Sequence, residues 1–316
     1  MITGGAGFIG SNLAHSLAQC PEVSEIRVVD DLSTGTRSNL TGLGVHFREG
    51  SVLDADLLDR AFRDVDTIVH LAALPSVPRS VKAPLASHHA NATGTLSVLE
   101  AARRAGDVHV IAASSSSVYG SNPELPKHER LRPSPMSPYA ASKLAAEAYL
   151  GAYHHSYGLP VLPFRFFNVY GPRQSTGSAY AAVVPAWISA ALSEQSVVVH
   201  GDGTQTRDFT YVGTVCRVLT QAALHRVVTP DPVNLAHGTH TSLRTLLTEL
   251  ERATGTTLRR RHTAPRTGDV QHSRADPARL RALFPGIEAT PLDEGLRRTI
   301  AWFADHSNEF TPREPR

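Results

Sequence analysis

Three glycines, Gly4, Gly7 and Gly10, fall as G-x-x-G-x-x-G between the β-type pair Ile2-Thr3 and an apolar-periodic segment carrying Ile9, Leu13 and Leu17. No other feature constrains the chain as much. A strand that turns through glycines into a helix lets the backbone approach a pyrophosphate. The helix start adds unpaired N–H groups and the positive end of its dipole. The apolar run Ile26-Arg-Val-Val29 then ends in Asp30. An acid at the end of the second strand can accept hydrogen bonds from both ribose hydroxyls. It also repels a 2′-phosphate, and no Arg follows it directly, so the pattern favours NAD over NADP.

The rest of the first half repeats this βα rhythm. Strands are expected near 26–30, 45–49, 67–71, 108–113 and 161–167, and helices near 10–19, 54–63, 84–105 and 139–157. Such alternation predicts an α/β fold, a Rossmann-type doubly wound parallel sheet with its ligand at the carboxyl ends of the strands. After Asn168 the loops become rich in Gly and Pro. Helices are expected there at 181–193, 214–226, 242–254, 277–283 and 291–305, with short strands at 197–200, 232–236 and 258–262. This second part reads as a smaller C-terminal α/β domain. The tail from Ser307 to Arg316 is expected to fray.

A chain of 316 residues holds one large domain or two moderate ones. No apolar run approaches the roughly 18 residues of a membrane span, and no charged segment leads into an apolar one as in a secretory signal. Cys20 and Cys216 are too few for a disulfide framework, which fits a reducing, cytoplasmic setting. A formal charge of +2 gives no reason to expect nucleic acid. Met1 directly precedes Ile2-Thr3, which is short for a central strand of about five residues, and this points to a natural start upstream.

A second constellation supplies chemistry. Tyr139 and Lys143 are four apart in a helix-like segment, so a phenol and an ammonium share one face. A cation beside a phenol is expected to lower its pKa from about 10, making Tyr139 a general base. Lysine occurs only at 82, 127 and 143, so chance pairing is disfavoured. Ser115 lies upstream, in the tract Ser114 to Ser117. His237-Gly-Thr-His240 has metal-like spacing but no nearby carboxylate, and no metal is expected. Arg259 to Arg261 read as a solvated strand edge, and His88-His89 and His154-His155 as exposed helix histidines.

Taken together, Thr3 to Gly10, the Asp30 strand end, His70-Leu-Ala-Ala73, Ser114 to Gly120, Tyr139-x-x-x-Lys143, Arg165 to Pro172 and Arg207-Asp-Phe-Thr-Tyr211 resemble the extended short-chain dehydrogenase/reductases. Within them the chain is most similar to nucleotide-sugar epimerases, in particular the UDP-N-acetylglucosamine 4-epimerase branch. Leu74 to Ser80, Ser178 to Pro185 and Arg266 to Asp276 carry that finer likeness. The resemblance implies NAD held by Gly4, Gly7, Phe8, Ile9, Gly10, Asp30, Asp31, Ser33, Val52, Leu71, Ala72, Ala73, Asn91, Ser114, Tyr139, Lys143 and Phe166. It implies a UDP-sugar held by Pro75, Ser76, Arg79, Ser115, Ser116, Ser117, Asn168, Ala182, Val183, Val199, Arg207, Arg266, Asp269 and Ser273. Asn168, Arg207 and Arg266 would grip the diphosphate, for which the planar fork of arginine is suited; the alternative for Arg207 is an ion pair with Asp208 or Asp202. The implied domains are 1–168 with about 207–237 for NAD, and about 169–206 with 238–316 for the nucleotide sugar. A homodimer is implied too, pairing the helices at 84–105 and 139–157 through apolar faces such as Ala140, Leu144 and Ala148.

Three departures stand out. Gly50-Ser51-Val52 replaces a Gly-Asp-Ile and removes a side-chain contact to adenine. Gly213-Thr214 replaces an acid pair at a helix start, with a modest expected stability cost. Pro75 stands where a small Gly is usual. The serine tract then narrows the reaction. Similar dehydratases carry Thr-Asp-Glu at Ser115, Ser116 and Ser117, using the acid pair to eliminate water, and similar decarboxylases keep the Glu. Hydroxyls cannot supply that pair at neutral pH. The expected activity is therefore C4 epimerisation of UDP-N-acetylglucosamine/galactosamine through a 4-keto sugar. UDP-glucose or UDP-glucuronate as substrate, and a non-catalytic NAD(H)-binding sensor, stay open as alternatives.

Overall fold

The computed structural model describes residues 1–176, 182–264 and 270–306. Its frame is a seven-stranded sheet whose pairings are all parallel. The first six strands are β1 (Ile2–Thr3), β2 (Ile26–Asp30), β3 (Val45–Glu49), β4 (Thr67–His70), β5 (His109–Ser115) and β6 (Val161–Phe166). In space they run 3-2-1-4-5-6, and Val233–Leu235 adds the last strand beside β6. The chain moves outward from β1 through β2 and β3, then restarts on the other side with β4. That reversal opens a crevice at the carboxyl ends of β1 and β4, where doubly wound sheets bind ligands. β1 is only two residues long but lies between β2 and β4, with Ile2 and Thr3 both buried.

Helices cover both faces because strands buried on two sides need apolar partners on each. Helix α1 (Phe8–Leu17) packs its Leu13 and Leu17 into one apolar cluster with Ile2, Val28 and Val69. On the other face, α2 (Ala55–Ala61) packs with a long helical stretch against Val29, Ile68 and Val110. That stretch, expected as one helix over 84–105, has Pro84–His88 as its first part, a π turn over His89–Thr93 and α-helix over Gly94–Ala105. A short helix, Val77–Lys82, precedes it and was not foreseen. Pro138–Tyr157 forms the 20-residue helix that carries Tyr139 and Lys143. Ser137 caps its start by accepting the Ala140 N–H at 3.2 Å, and Gly158 ends it at φ +70°.

The later part contributes helices at Val183–Leu192, Val212–Leu224, Leu243–Thr254, Ala278–Leu283 and Leu292–Asp305, together with two-stranded pairings. Val197–His200 pairs with Arg260–Thr263, whose Arg260, Arg261 and His262 are exposed. Asn168–Tyr170 pairs with Phe209–Tyr211, and Thr206–Arg207 with Thr241–Ser242. Four of these are strands of two or three residues, too short to show a periodic pattern in sequence. The helix at Val212 starts without an acid; instead the Thr214 hydroxyl donates to Thr290 Oγ1 at 2.9 Å and accepts its N–H at 3.0 Å. One expectation is corrected: Ala140 does not belong to an outward face of its helix, being 1% exposed against the core, whereas Ala141 and Ala148 are exposed. No described helix is long and apolar enough to cross a membrane.

Candidate active site

The parallel register brings the ends of β1, β2, β4, β5 and β6 to one edge, and with them Gly4, Asp30, Leu71, Ser115 and Phe166. The glycines divide the work of the first loop. Gly4 turns the chain at φ +70°, and a Cβ there would stand 2.6 Å from the Ala72 backbone nitrogen. A Cβ on Gly10 would stand 2.7 Å from Gly5 Cα and closer still to the Gly4 carbonyl oxygen. Gly7 has an ordinary φ of −77°, and a Cβ on it would meet only Gly4 O, at 3.3 Å. Gly4 and Gly10 thus serve the protein's own packing, while Gly7 leaves room for something to approach the first turn of α1. No side chain caps that turn and it contains no acid, so it is suited to an anion.

Asp30 stands at the end of β2, 7% exposed, with Oδ2 accepting the Ala6 N–H at 2.9 Å and Oδ1 the Leu32 N–H at 2.8 Å. Burial pushes its pKa up, and those backbone donors oppose the rise. Each oxygen retains a lone pair for a ribose hydroxyl. Asp31 accepts the Ser33 N–H at 2.9 Å, and both residues are exposed. The loop after β2 is fastened to the glycine loop, since Thr36 N–H (3.2 Å) and Asn39 Nδ2 (2.8 Å) both donate to the Ala6 carbonyl. Sequence reasoning passed over Asn39 because this pairing spans 33 residues.

Opposite that wall, the serine tract crosses from strand to turn. Ser115 closes β5 and caps the 3-10 turn Ser116–Tyr119; its Oγ accepts the Ser117 N–H at 3.2 Å and the Ser117 hydroxyl at 2.9 Å. Tyr139 is half-buried and Lys143 is 6% exposed, with Nζ donating to the Ala113 carbonyl at 2.9 Å. The expected acidic phenol is not what this environment makes. Burial raises the Tyr139 pKa above the ordinary tyrosine value, and a hydrogen bond with Ser115 acts in the opposite direction. Lys143 is instead lowered to about 8, by burial first, with the Glu147 charge opposing. Losing water disfavours the charged form of each group.

Glu147, one turn beyond Lys143, forms a buried bidentate pair with Arg165 (2.9 and 2.7 Å) and accepts from Ser114 at 2.5 Å. Ser114 is therefore committed to this network, although it was expected to touch the cofactor. Asn91 was expected to do so as well, yet its amide accepts the Leu74 N–H at 2.7 Å and donates to Ser142 Oγ at 3.0 Å and Leu74 O at 3.2 Å. His70 ties β4 to β1 and to the helix over Gly94–Ala105. Its Nδ1 lies 2.7 Å from Thr3 Oγ1 and its Nε2 3.1 Å from Thr95 Oγ1, and burial lowers its pKa to about 3. The i,i+4 spacing of Lys143 and Glu147 could have signalled the Glu147 network; nothing local marks His70.

The remaining expected residues are spread more widely. Leu71, Ala72 and Ala73 follow β4, half-buried at the crevice, and Leu71 N–H donates to Thr3 O at 3.0 Å. Val52 and Phe166 are 8% and 9% exposed and pack into the apolar clusters. Pro75 is exposed; Ser76 follows at φ +105° and accepts the Arg79 N–H at 3.2 Å. Asn168 lies at the start of its strand, its N–H on the Asp208 carbonyl at 3.2 Å. Val199 is buried, Val183 half-buried and Ala182 exposed. Arg207 is 9% exposed and donates to the Thr206 carbonyl at 2.8 Å. The Asp208 carboxylate accepts from Gly238 N, Ala275 N and Thr239 Oγ1, whereas Asp202 accepts from Thr204 and faces Arg244. Ser273 is half-buried, its N–H donating to the Thr206 carbonyl at 3.1 Å. Arg266 and Asp269 lie outside the described residues.

A glycine loop with an uncapped helix start, a buried acid at the end of β2 and a Ser-Tyr-Lys group across the crevice define a nicotinamide-dependent enzyme on a doubly wound sheet. The chain belongs to the NAD dependent epimerase/dehydratase family, whose model matches residues 1–236. It is 36% identical over 314 residues to a UDP-glucose 4-epimerase of Mycolicibacterium smegmatis, covering 97% of this chain and 99% of that one. Among solved structures it resembles a UDP-N-acetylglucosamine 4-epimerase from Methanobrevibacter ruminantium in complex with UDP-N-acetylmuramic acid (TM-score 0.91, 36% identity, 96% and 97% of the two chains). A UDP-glucose 4-epimerase from Thermotoga maritima with UDP-glucose is equally similar in shape (TM-score 0.91, 33% identity, 97% and 98% of the two chains). Nucleotide-sugar decarboxylases and dehydratases resemble the chain too. The cofactor is NAD, and the residues at the crevice fit it.

Proposed function

We propose that the protein interconverts the C4 epimers of a UDP-hexose, with UDP-N-acetylglucosamine/galactosamine as the preferred pair. The observation that carries this reading is the hydroxyl-only tract Ser115 to Ser117 facing Tyr139. It offers no carboxyl group for a second acid/base event, so chemistry ends at the carbon where it began.

Bound NAD would supply a hydride acceptor and donor at the sugar carbon. The protein supplies the rest. Tyr139 removes the O4 proton and later returns it, while the Ser115 hydroxyl hydrogen-bonds to O4. Lys143 holds the nicotinamide ribose, and its ammonium offsets the phenolate as it forms. Asn168, Arg207 and Arg266 grip the diphosphate so that the 4-keto sugar can turn over without leaving. The division into 1–168 with 207–237 for NAD, and the remainder for the sugar nucleotide, belongs to this reading.

Ser273 supports the acetylated pair. A hydroxymethyl group beside the C2 substituent leaves room for an acetamide and offers it a hydrogen bond, whereas the rigid ring of Pro75 narrows the pocket from the other side. Steady-state kinetics on UDP-N-acetylglucosamine, UDP-glucose and UDP-glucuronate test the choice. The acetylated sugar is expected to have the highest kcat/KM, and a preference for either other sugar would reassign the substrate.

A homodimer is part of the same proposal. Val81 (65% exposed), Leu85 (73%) and Tyr149 (40%) lie with Ala141 and Ala148 on packed neighbouring helices, an apolar face suited to a twofold partner. Light scattering at micromolar concentration should give twice the chain mass of 34.0 kDa.

A further inference from the structure

We propose that Ser117 is a positioning residue that fixes the direction of the Ser115 proton, an inference that rests on the Ser115–Tyr139 reading above. A serine hydroxyl has one proton to donate and two lone pairs with which to accept. Both lone pairs of Ser115 are occupied by one residue: the Ser117 N–H donates to Ser115 Oγ at 3.2 Å and the Ser117 hydroxyl donates at 2.9 Å. Only the Ser115 proton remains uncommitted, and it must point away from the turn. The phenol of Tyr139 is a hydrogen-bonding partner of the Ser115 side chain.

The turn is built to hold this arrangement. Ser115 is extended (φ −147°, ψ 144°) and caps the 3-10 turn that contains Ser117. The next two residues anchor the turn in the protein. Val118 and Tyr119 are at most 1% exposed, and the Tyr119 hydroxyl donates to Asn234 Oδ1 at 2.7 Å. Gly120 ends the turn at φ +51°, and a Cβ there would run into the Ser134 carbonyl. The Ser117 backbone N–H therefore cannot leave Ser115 without moving buried side chains, and it keeps the Ser117 hydroxyl beside the same oxygen.

The consequence concerns proton transfer. A Ser115 hydroxyl free to rotate could turn its proton to another acceptor and leave the phenolate without its donor. With both lone pairs occupied, it cannot accept a proton; it donates either to the Tyr139 phenolate or to the substrate oxygen, and the O4 proton passes directly to the phenolate. Ser117 touches neither partner in this scheme; it acts through Ser115.

A double-mutant cycle separates this role from direct contact with the sugar. The measurements are kcat, KM and the pH profile of kcat for wild type, Ser115→Ala, Ser117→Ala, Ser117→Thr and the double alanine variant, each with bound NAD quantified. Ser117→Ala is expected to lower kcat about tenfold, the loss of roughly one ordered hydrogen bond, while KM stays within about twofold. The acidic limb of its kcat profile should move to higher pH, because Ser115 no longer favours the phenolate. Ser117→Thr, which keeps the hydroxyl, should restore both. In the Ser115→Ala background the second substitution should cost nothing further. Multiplicative losses in the double variant, or a raised KM with unchanged kcat, would overturn the proposal and make Ser117 a sugar contact. Full activity of Ser115→Ala would instead remove the catalytic reading on which it rests. Ser117→Cys keeps the volume with a weaker donor and should fall between Ala and Thr, which covers the case of an alanine variant that folds poorly.

Discussion

The two walls of the crevice are made by different physics. On the β1–β2 side the backbone does the shaping: Gly4 and Gly10 sit where a Cβ would collide with the chain itself, and Asp30 is held by the Ala6 and Leu32 amides. On the β5–Pro138 helix side the shape comes from side chains tied into buried polar networks, with Ser115 held by Ser117, Lys143 by the Ala113 carbonyl and Glu147 by Arg165. At Gly4 and Gly10 the first wall has no room for an added carbon. The second depends on which of its side chains carries a proton.

Loss of the phenol should produce the largest effect. Tyr139→Phe keeps the shape of the second wall and removes its acid/base group, so turnover should fall by about two to four orders of magnitude while NAD still copurifies. A variant retaining a tenth of the wild-type kcat would place the base elsewhere. Enlarging the sugar side is next. Ser273→Tyr should reduce kcat/KM about 10- to 150-fold for the acetylated pair, from roughly 1–3 kcal/mol of overpacking. Activity on UDP-glucose should survive, and equal losses on both sugars would mean that Ser273 does not read C2.

The glycine wall can be broken selectively. Gly10→Ala should destabilise the fold by about 1–3 kcal/mol, visible as a lower Tm, because the added carbon meets backbone that cannot yield. Gly7→Ala should leave the Tm of the NAD-free protein nearly unchanged and weaken NAD retention. If both variants lose the same stability, the division of labour between these glycines is wrong.

The smallest effect concerns His70, which bonds Thr3 on the first wall and Thr95 on the Gly94–Ala105 helix. Its folded pKa of about 3 lies below the ordinary 6.5, so between those values the unfolded chain binds a proton that the folded chain refuses. Stability should therefore fall as pH drops below 6.5, by up to about 1.4 kcal/mol per pH unit from this group. Tm measured between pH 7 and 5 should decline less steeply for His70→Asn than for wild type; parallel curves would contradict a neutral buried imidazole.

How much could be read in the sequence follows the same division. The glycine spacing, the Asp30 strand end and the βα rhythm are local patterns, and the parallel doubly wound sheet and the strands of the first half match what they imply, whereas the helix at Val77–Lys82 and the π turn within 84–105 do not show in them. The Tyr139–Lys143 face was legible as geometry, but its electrostatics were not. Spacing shows that a cation neighbours a phenol, whereas burial, which raises the phenol and lowers the amine to about 8, depends on residues far away in sequence. Asn91 and Ser114 show the same limit: their side chains are taken by Leu74, Ser142 and Glu147, partners 17 to 51 residues away. Of the outward face expected on the Pro138–Tyr157 helix, Ala148 is exposed and Leu144 half-buried, but Ala140 is buried and its neighbour Ala141 exposed, because adjacent alanines carry no contrast to mark the buried side.

The central claim is that oxidation and reduction take place at one carbon. Supplying UDP-N-acetylglucosamine deuterated at C4, with no external nicotinamide, and following the products by NMR tests it most directly. The account predicts the C4 epimer with deuterium still at C4 and no accumulation of NADH. Deuterium appearing at C6 beside a 4-keto-6-deoxy sugar, or a substrate left unchanged by protein that carries its NAD, would contradict it.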